Sequence, residues 1–177
     1  MLAITPLAFH LVAKNQRAAI VMTEDEMIAF LNSSRTMTMA TNGRTGHPHV
    51  VAMWFAVVDH QICFETKRKS QKVQNLLRDP RITCSIEAGK TYDTLRGVSF
   101  EGTAEIIDDP DYLWKVGLSV FERYQGVYTD EMKPIVETML NNRVAVKVNV
   151  ERARSWDHRK MGLPAMPLAG TTAGEPS

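Results

Sequence analysis

From position 144 to 150 valine occupies every second residue, with Ala145, Lys147 and Asn149 between them. A period of two sustained over seven residues belongs to a β-strand with one buried face. Five further runs read as strands, at 35–41, 49–58, 62–66, 81–86 and 96–107, with turn signals between them. Asn42-Gly43 is a hairpin dipeptide and Asp59-His60 marks a second turn. Gly97 and Gly102, inside the longest run, predict bulges or tight bends in a curved sheet.

Helical signals are short and fall between or after these runs. Thr23-Glu24-Asp25-Glu26 spells a capping box that opens a helix to about Asn32. Val73, Leu76 and Leu77 lie at helical spacing over 70–78, and Asp79-Pro80 stops that helix. Asp109-Pro110-Asp111 starts another, in which Tyr112, Trp114, Leu118 and Phe121 share a side, and a further helix covers 130–140. With six or seven strands and no repeating β-α-β unit, the expected class is mostly β: an antiparallel barrel with short capping helices, not a doubly wound sheet.

A chain of 177 residues fits one domain. We place its barrel domain at 23–160, between an N-terminal extension over 1–22 and a Gly/Pro/Thr/Ala-rich tail over 161–177 that is expected to be mobile. His10, Lys14 and Arg17 break the apolar character of the extension, which makes it a poor signal peptide and too interrupted to span a bilayer. Because a helix start follows at Thr23, Met22 is a candidate physiological first residue. Cys63 and Cys84 sit in apolar strand runs without C-x-x-C spacing, which suits buried thiols in a reducing cytoplasm.

The formal net charge of +1 excludes a whole-protein field for gathering nucleic acid. Charge is nevertheless concentrated. Lys67, Arg68, Lys69, Lys72, Arg78 and Arg81 face a single acid, Asp79, within 66–81. Lys67, Arg68 and Lys69 fall between a strand end and the helix begun by Ser70. Exposed amides at a helix start, a capping hydroxyl and flanking ammonium groups together make a phosphate seat, and Lys72 can reach it from the first turn. The bland alternative is a solvated basic loop. His47 and His49, two apart beside Pro48, read as surface turn residues, and they lack a third partner for a metal.

Several segments together are similar to one known family. These are Gly46-His47-Pro48-His49-Val50-Val51-Ala52-Met53-Trp54-Phe55, the pattern K-x-x-N-L-x-R-D-P-R over 72–81, Leu95-Arg96-Gly97-Val98 with Glu101-Gly102-Thr103-Ala104, and Ser155-Trp156-Asp157. Over roughly 23–160 the chain resembles the pyridoxamine 5'-phosphate oxidase-like split-barrel family, most of all its branch using the deazaflavin coenzyme F-420. The resemblance implies a six-stranded split β-barrel that dimerises and shares two cofactor sites between its subunits. In it the cofactor ring would lie along Ala52, Met53 and Trp54. Thr66, Lys67, Ser70, Gln71 and Lys72 would hold the phosphate, and Asn75 would brace that loop. The partner subunit would supply the neighbourhood of Leu95, Arg96 and Gly97, and Trp156. The activity implied is hydride transfer from a reduced deazaflavin to a small conjugated or electron-poor acceptor. FMN in the same seat, or a flavin- or haem-binding carrier without turnover, are the other readings. No acid-base residue for such a reaction stands out, and the basic C-terminal substrate motif of the vitamin-processing oxidases is missing.

Overall fold

The computed structural model describes residues 16–168. Its elements in chain order are α1 (Gln16–Ala19), α2 (Glu24–Ser33), β1 (Thr36–Asn42), β2 (Pro48–Trp54), β3 (Ala56–Val58), β4 (Gln61–Lys67), α3 (Gln71–Arg78), β5 (Arg81–Ala88), β6 (Arg96–Ile107), α4 (Pro110–Tyr124), α5 (Lys133–Leu140) and β7 (Arg143–Asp157). Short 3-10 turns precede α5 and follow β7. All strand pairs are antiparallel, in the order β2-β1-β5-β6-β7-β4-β3.

The mostly β antiparallel class is therefore as expected, with seven strands rather than six. The difference arises at Phe55, which divides the expected run 49–58 into β2 and β3. Those two strands form opposite edges of the sheet, yet one residue connects them. Two residue steps span at most about 7 Å, so the sheet has to curl until its edges meet. Alternation then separates two faces. Met37, Met39, Phe64, Ile86, Val98 and Phe100 point inward and form the main core. Ala56, Val58, Cys63 and Ala145 point outward and are covered by Val116 and Val120 of α4.

The C-terminal end of α4 seals the seam. Phe55 is fully buried, and its N–H donates to the Tyr124 hydroxyl at 3.2 Å. That hydroxyl in turn donates to the Arg35 carbonyl. The Tyr124 ring stacks on Trp54 with centroids 4.2 Å apart and planes within 9°. Arg123 places its guanidinium 4.7 Å above the Phe55 ring and donates to the Leu31 and Ser34 carbonyls at 2.8 and 2.9 Å, tying the end of α2 to the same seam.

The local signals hold in detail. Thr23 and Glu26 exchange the two bonds of a capping box, at 2.7 and 3.2 Å. Asp59 and His60 both adopt positive φ in the turn between β3 and β4. The β6–β7 register shifts between Glu101 and Gly102, where a Cβ on Gly102 would lie 2.0 Å from the Asn149 carbonyl oxygen. Gly97 serves a close approach, since a Cβ there would meet the Trp156 ring at 2.3 Å. The chain before Thr23 is stitched into the domain: Met22 is buried, its N–H donates to Ser155 Oγ at 3.0 Å, and Asp157 N–H donates to the Ile20 carbonyl at 2.7 Å. Residues 1–15 of the expected extension, and 169–177 of the expected mobile tail, lie outside the described residues.

Replacing Tyr124 by Phe keeps the stack on Trp54 but strips both backbone groups of their partner. The expected loss is roughly 1–3 kcal/mol of unfolding free energy, read by urea denaturation with native circular dichroism retained.

Candidate phosphate site

Strand β4 ends at Lys67, and three residues later Ser70 takes the N-cap position of α3 with an extended backbone. The first intrahelical bond runs from Gln74 N–H to the Ser70 carbonyl at 3.1 Å, so the amides of Gln71, Lys72 and Val73 have no carbonyl within the helix. The Ser70 hydroxyl makes no capping bond and instead lies 3.5 Å from Thr66 Oγ1. Lys72 reaches back to donate to the same Thr66 oxygen at 3.2 Å. Two hydroxyls, an ammonium and the uncapped turn thus converge.

Beneath them a chain of amides anchors the helix. Gln71 Nε2 donates to Asn75 Oδ1 at 2.9 Å, and Asn75 Nδ2 donates to Thr41 Oγ1 at 3.0 Å. Asn75 and Thr41 are both buried, so the brace inferred for Asn75 has a concrete partner on β1. Asp79 and Arg78 add a second tie, since Asn42 donates to Asp79 Oδ2 at 2.8 Å and its carbonyl accepts from Arg78.

Alternation along β4 splits the basic cluster. Thr66 faces the interior with Phe64, whereas Lys67 shares the outer face with Glu65. Lys67 donates to the Asn141 carbonyl at 2.8 Å, and Arg68 forms a bidentate pair with Asp108. With Lys69 and Asn142 they border a separate depression of about 310 Å³. Of the cations expected at the seat, Lys72 alone converges on its hydroxyls.

Sequence reasoning missed the charges nearest Lys72. Glu65, 7% exposed, pairs with Arg143 from the start of β7, and the Arg143 Nε is enclosed with no partner among the described residues. Burial pushes the Glu65 carboxyl above its usual range although Arg143 opposes the shift. Burial lowers the pKa of Lys72, repulsion from Arg143 lowers it further, and Glu65 only partly compensates. A half-buried ammonium of this kind is stabilised by an incoming anion.

The other expected site residues lie elsewhere. Ala52 and Trp54 are exposed on the outer face of β2, while Met53 turns inward against the core. His49, on the same strand, sits opposite Thr41, half-buried with Nδ1 enclosed and without a partner among the described residues, so it is a strand residue and not a turn residue. His47 does occupy the turn. Among the described residues β2 pairs with β1 alone, so its other edge has no strand beside it. Arg96 and Trp156 belong to the far end of the barrel: Arg96 is six residues from Gly102 along β6, about 20 Å, and Gly102 pairs with Ile82, the neighbour of Thr41. Trp156 lies over Gly97 on the outer face, whereas Arg96, with Val98 and Phe100, turns to the interior face. A single chain does not bring either to the phosphate site.

The family model for pyridoxamine 5'-phosphate oxidase matches residues 23–157. The chain belongs to the pyridoxamine 5'-phosphate oxidase family. A conserved hypothetical protein of Mycobacterium tuberculosis, Rv2991, is 60% identical, with 89% of this chain and 98% of that one covered and a TM-score of 0.86. A solved F420 reductase is 26% identical over 71% of this chain and 93% of its own, with a TM-score of 0.56. The haem-storage protein HutZ of Vibrio cholerae shares the fold at 17% identity, 76% and 96% coverage and a TM-score of 0.59. No curated protein matches the chain.

Replacing Asn75 by Ala removes the link between Gln71 and Thr41. We expect roughly 1–3 kcal/mol of lost stability and faster amide exchange in the first turn of α3 than elsewhere, measured by hydrogen exchange.

Proposed function

We propose that this chain is a homodimeric, cytoplasmic oxidoreductase that holds a flavin-type cofactor by its phosphate, with coenzyme F-420 favoured and FMN the alternative, and reduces a small conjugated or electron-poor acceptor. The observation that carries the reading is the meeting of Lys72, Thr66 Oγ1, the Ser70 hydroxyl, which does not cap its helix, and the uncapped start of α3. These groups fit a phosphate: hydroxyl and amide donors for its oxygens, and a half-buried ammonium whose lowered pKa an anion would reverse. When bound, a reduced deazaflavin supplies the hydride. The protein holds the cofactor in place and keeps water from it, a role that requires no acid-base pair.

Two features favour F-420 over FMN. One is the 26% identity to an F420 reductase. The other is the second basic depression at Lys67, Arg68 and Lys69, suited to the coenzyme's acidic tail. The homodimer reading is supported by the outer face of β2, β1, β5 and β6, where Ala52, Thr38, Ser85 and Ser99 form one row of small residues. Val50 is 56% and Trp54 47% exposed at its margin. Trp156 lies on this same outer face, which suits the expected contribution of Trp156 from a partner subunit. Among the described residues no helix is long and apolar enough to cross a membrane, and both cysteines are free and buried.

Fluorescence titration of the purified protein with F-420 and with FMN tests the reading, followed by reduction and an acceptor screen. Lys72→Ala is expected to raise the Kd by roughly five- to 150-fold, the equivalent of 1–3 kcal/mol for a charge-assisted bond. Tight binding with no oxidation of the reduced cofactor would identify a carrier instead. The protonated ammonium is the binding form, so wild-type affinity is expected to hold at neutral pH. It should then fall as pH rises through the lowered Lys72 value, below the ordinary lysine pKa of about 10.4, an edge that Lys72→Ala lacks. Sedimentation velocity should give a dimer of 19.9 kDa chains, and Trp54→Arg at the small-residue face should shift it toward monomer.

A further inference from the structure

We propose that the mouth of the barrel beneath α2 is a second binding site, for a small organic anion carrying one carboxylate on a flat apolar body. The site goes beyond the proposed function and does not rest on it. It lies at the end of β6 away from the phosphate seat, about 20 Å along the strand, and on the sheet face opposite Trp156.

A cavity of about 210 Å³ opens there between α2 and the ends of β6 and β7. Met22, Ala29 and Phe30 make its apolar part. Four charged side chains border it, and their pairing is unequal. The Glu26 carboxylate takes the Lys160 ammonium at 2.5 Å and the Thr23 N–H at 2.7 Å. Asp157, 5% exposed, holds Arg159 in a fork, with Nε at 2.8 Å and the second guanidinium nitrogen at 2.5 Å. Each carboxylate therefore has its own cation. Arg96 is the cation left without a direct bond: it stands across the strand pair from Asp157 and helps to lower that carboxyl's pKa through space, but among the described residues its guanidinium makes no hydrogen bond and no close ion pair. Its guanidinium carbon lies 5.4 Å over the Phe30 ring.

A guanidinium has five N–H donors in one plane, and a half-buried one with none of them used is poised for an acceptor. A carboxylate accepts two of them side by side, which fixes the plane of whatever carries it. The cation over Phe30 and the apolar wall of Met22 and Ala29 then receive a flat hydrocarbon body. The volume lies below the roughly 300–1,000 Å³ of sites for drug-sized ligands, which fits a single-ring acid and excludes a nucleotide. Sequence reading did not single out this cleft, because its cation, floor and competing carboxylates come from three separate parts of the chain, 22–33, Arg96 and 157–159.

The test is a ¹H–¹⁵N NMR titration of the full-length protein with benzoate and with its neutral counterpart benzyl alcohol. Saturable shifts are expected at Ala29, Phe30 and Arg96, with benzyl alcohol at least tenfold weaker. Arg96→Met, which keeps an aliphatic stem over Phe30, should lose at least tenfold in benzoate affinity, and Arg96→Lys should recover part of it. If Arg96→Met does not fold, the ratio of the two wild-type ligands decides alone. Equal affinity for both ligands, no saturation below 10 mM (roughly −2.7 kcal/mol), or an unchanged Kd in folded Arg96→Met would overturn the proposal. Saturating FMN should leave benzoate binding unchanged; mutual displacement would also overturn it, by making the cleft part of the cofactor site, and would leave the Lys72 seat standing.

Discussion

Phe55 ties together the two edge strands of a seven-stranded sheet with a single residue, so neither edge can move away from the other without breaking the chain's own path. Everything else in the molecule is arranged around that closure. A fully buried ring at the seam needs a lid, and Arg123 and Tyr124 at the end of α4 provide it, one through its guanidinium over the ring and the other through a hydroxyl that serves two backbone groups. Closure also gives the barrel two unlike ends. At one, α3 docks on Thr41 through Asn75. At the other, α2 lies across the mouth with Phe30 beneath Arg96.

The first of these ends holds the phosphate site because a strand finishes there and a helix begins with its cap hydroxyl unused. Chain density of positive charge overstates what the site contains. Period-two alternation sends Thr66 inward and Lys67 outward, and Lys67 and Arg68 are already engaged by Asn141 and Asp108. What remains is one half-buried ammonium, two hydroxyls and the amides of a helix start, close to an ion pair of Glu65 and Arg143 that keeps Lys72 from being fully compensated. A site of this make-up selects for a group that accepts several hydrogen bonds and carries charge.

Much of this was legible in the residues, and the parts that were not share a cause. The capping box at Thr23, the turn at Asp59-His60, the bulge at Gly102 and the short helix stopped by Asp79-Pro80 are all local signals, and each is found where the chain announces it. The break at Phe55 was hidden because a valine- and aromatic-rich run looks the same whether it stays on one sheet edge or crosses to the other. Thr41 and Arg143 were missed because they reach the site from β1 and β7 by tertiary packing, and Glu65, next to Thr66 on β4, because its burial depends on the pairing with Arg143. Arg96 was assigned a place on family resemblance. Within one chain its strand register directs it to the interior mouth, one face away from Trp156.

A crystal structure of the protein with its bound cofactor tests the central claim most directly. The phosphorus should lie against α3, with phosphate oxygens within about 3.2 Å of Lys72 Nζ, Ser70 Oγ and an amide of the first helical turn, and the ring running along β2 toward Trp54. A phosphate seated instead in the Lys67–Arg68–Lys69 depression, or in the barrel mouth beside Arg96, would contradict it.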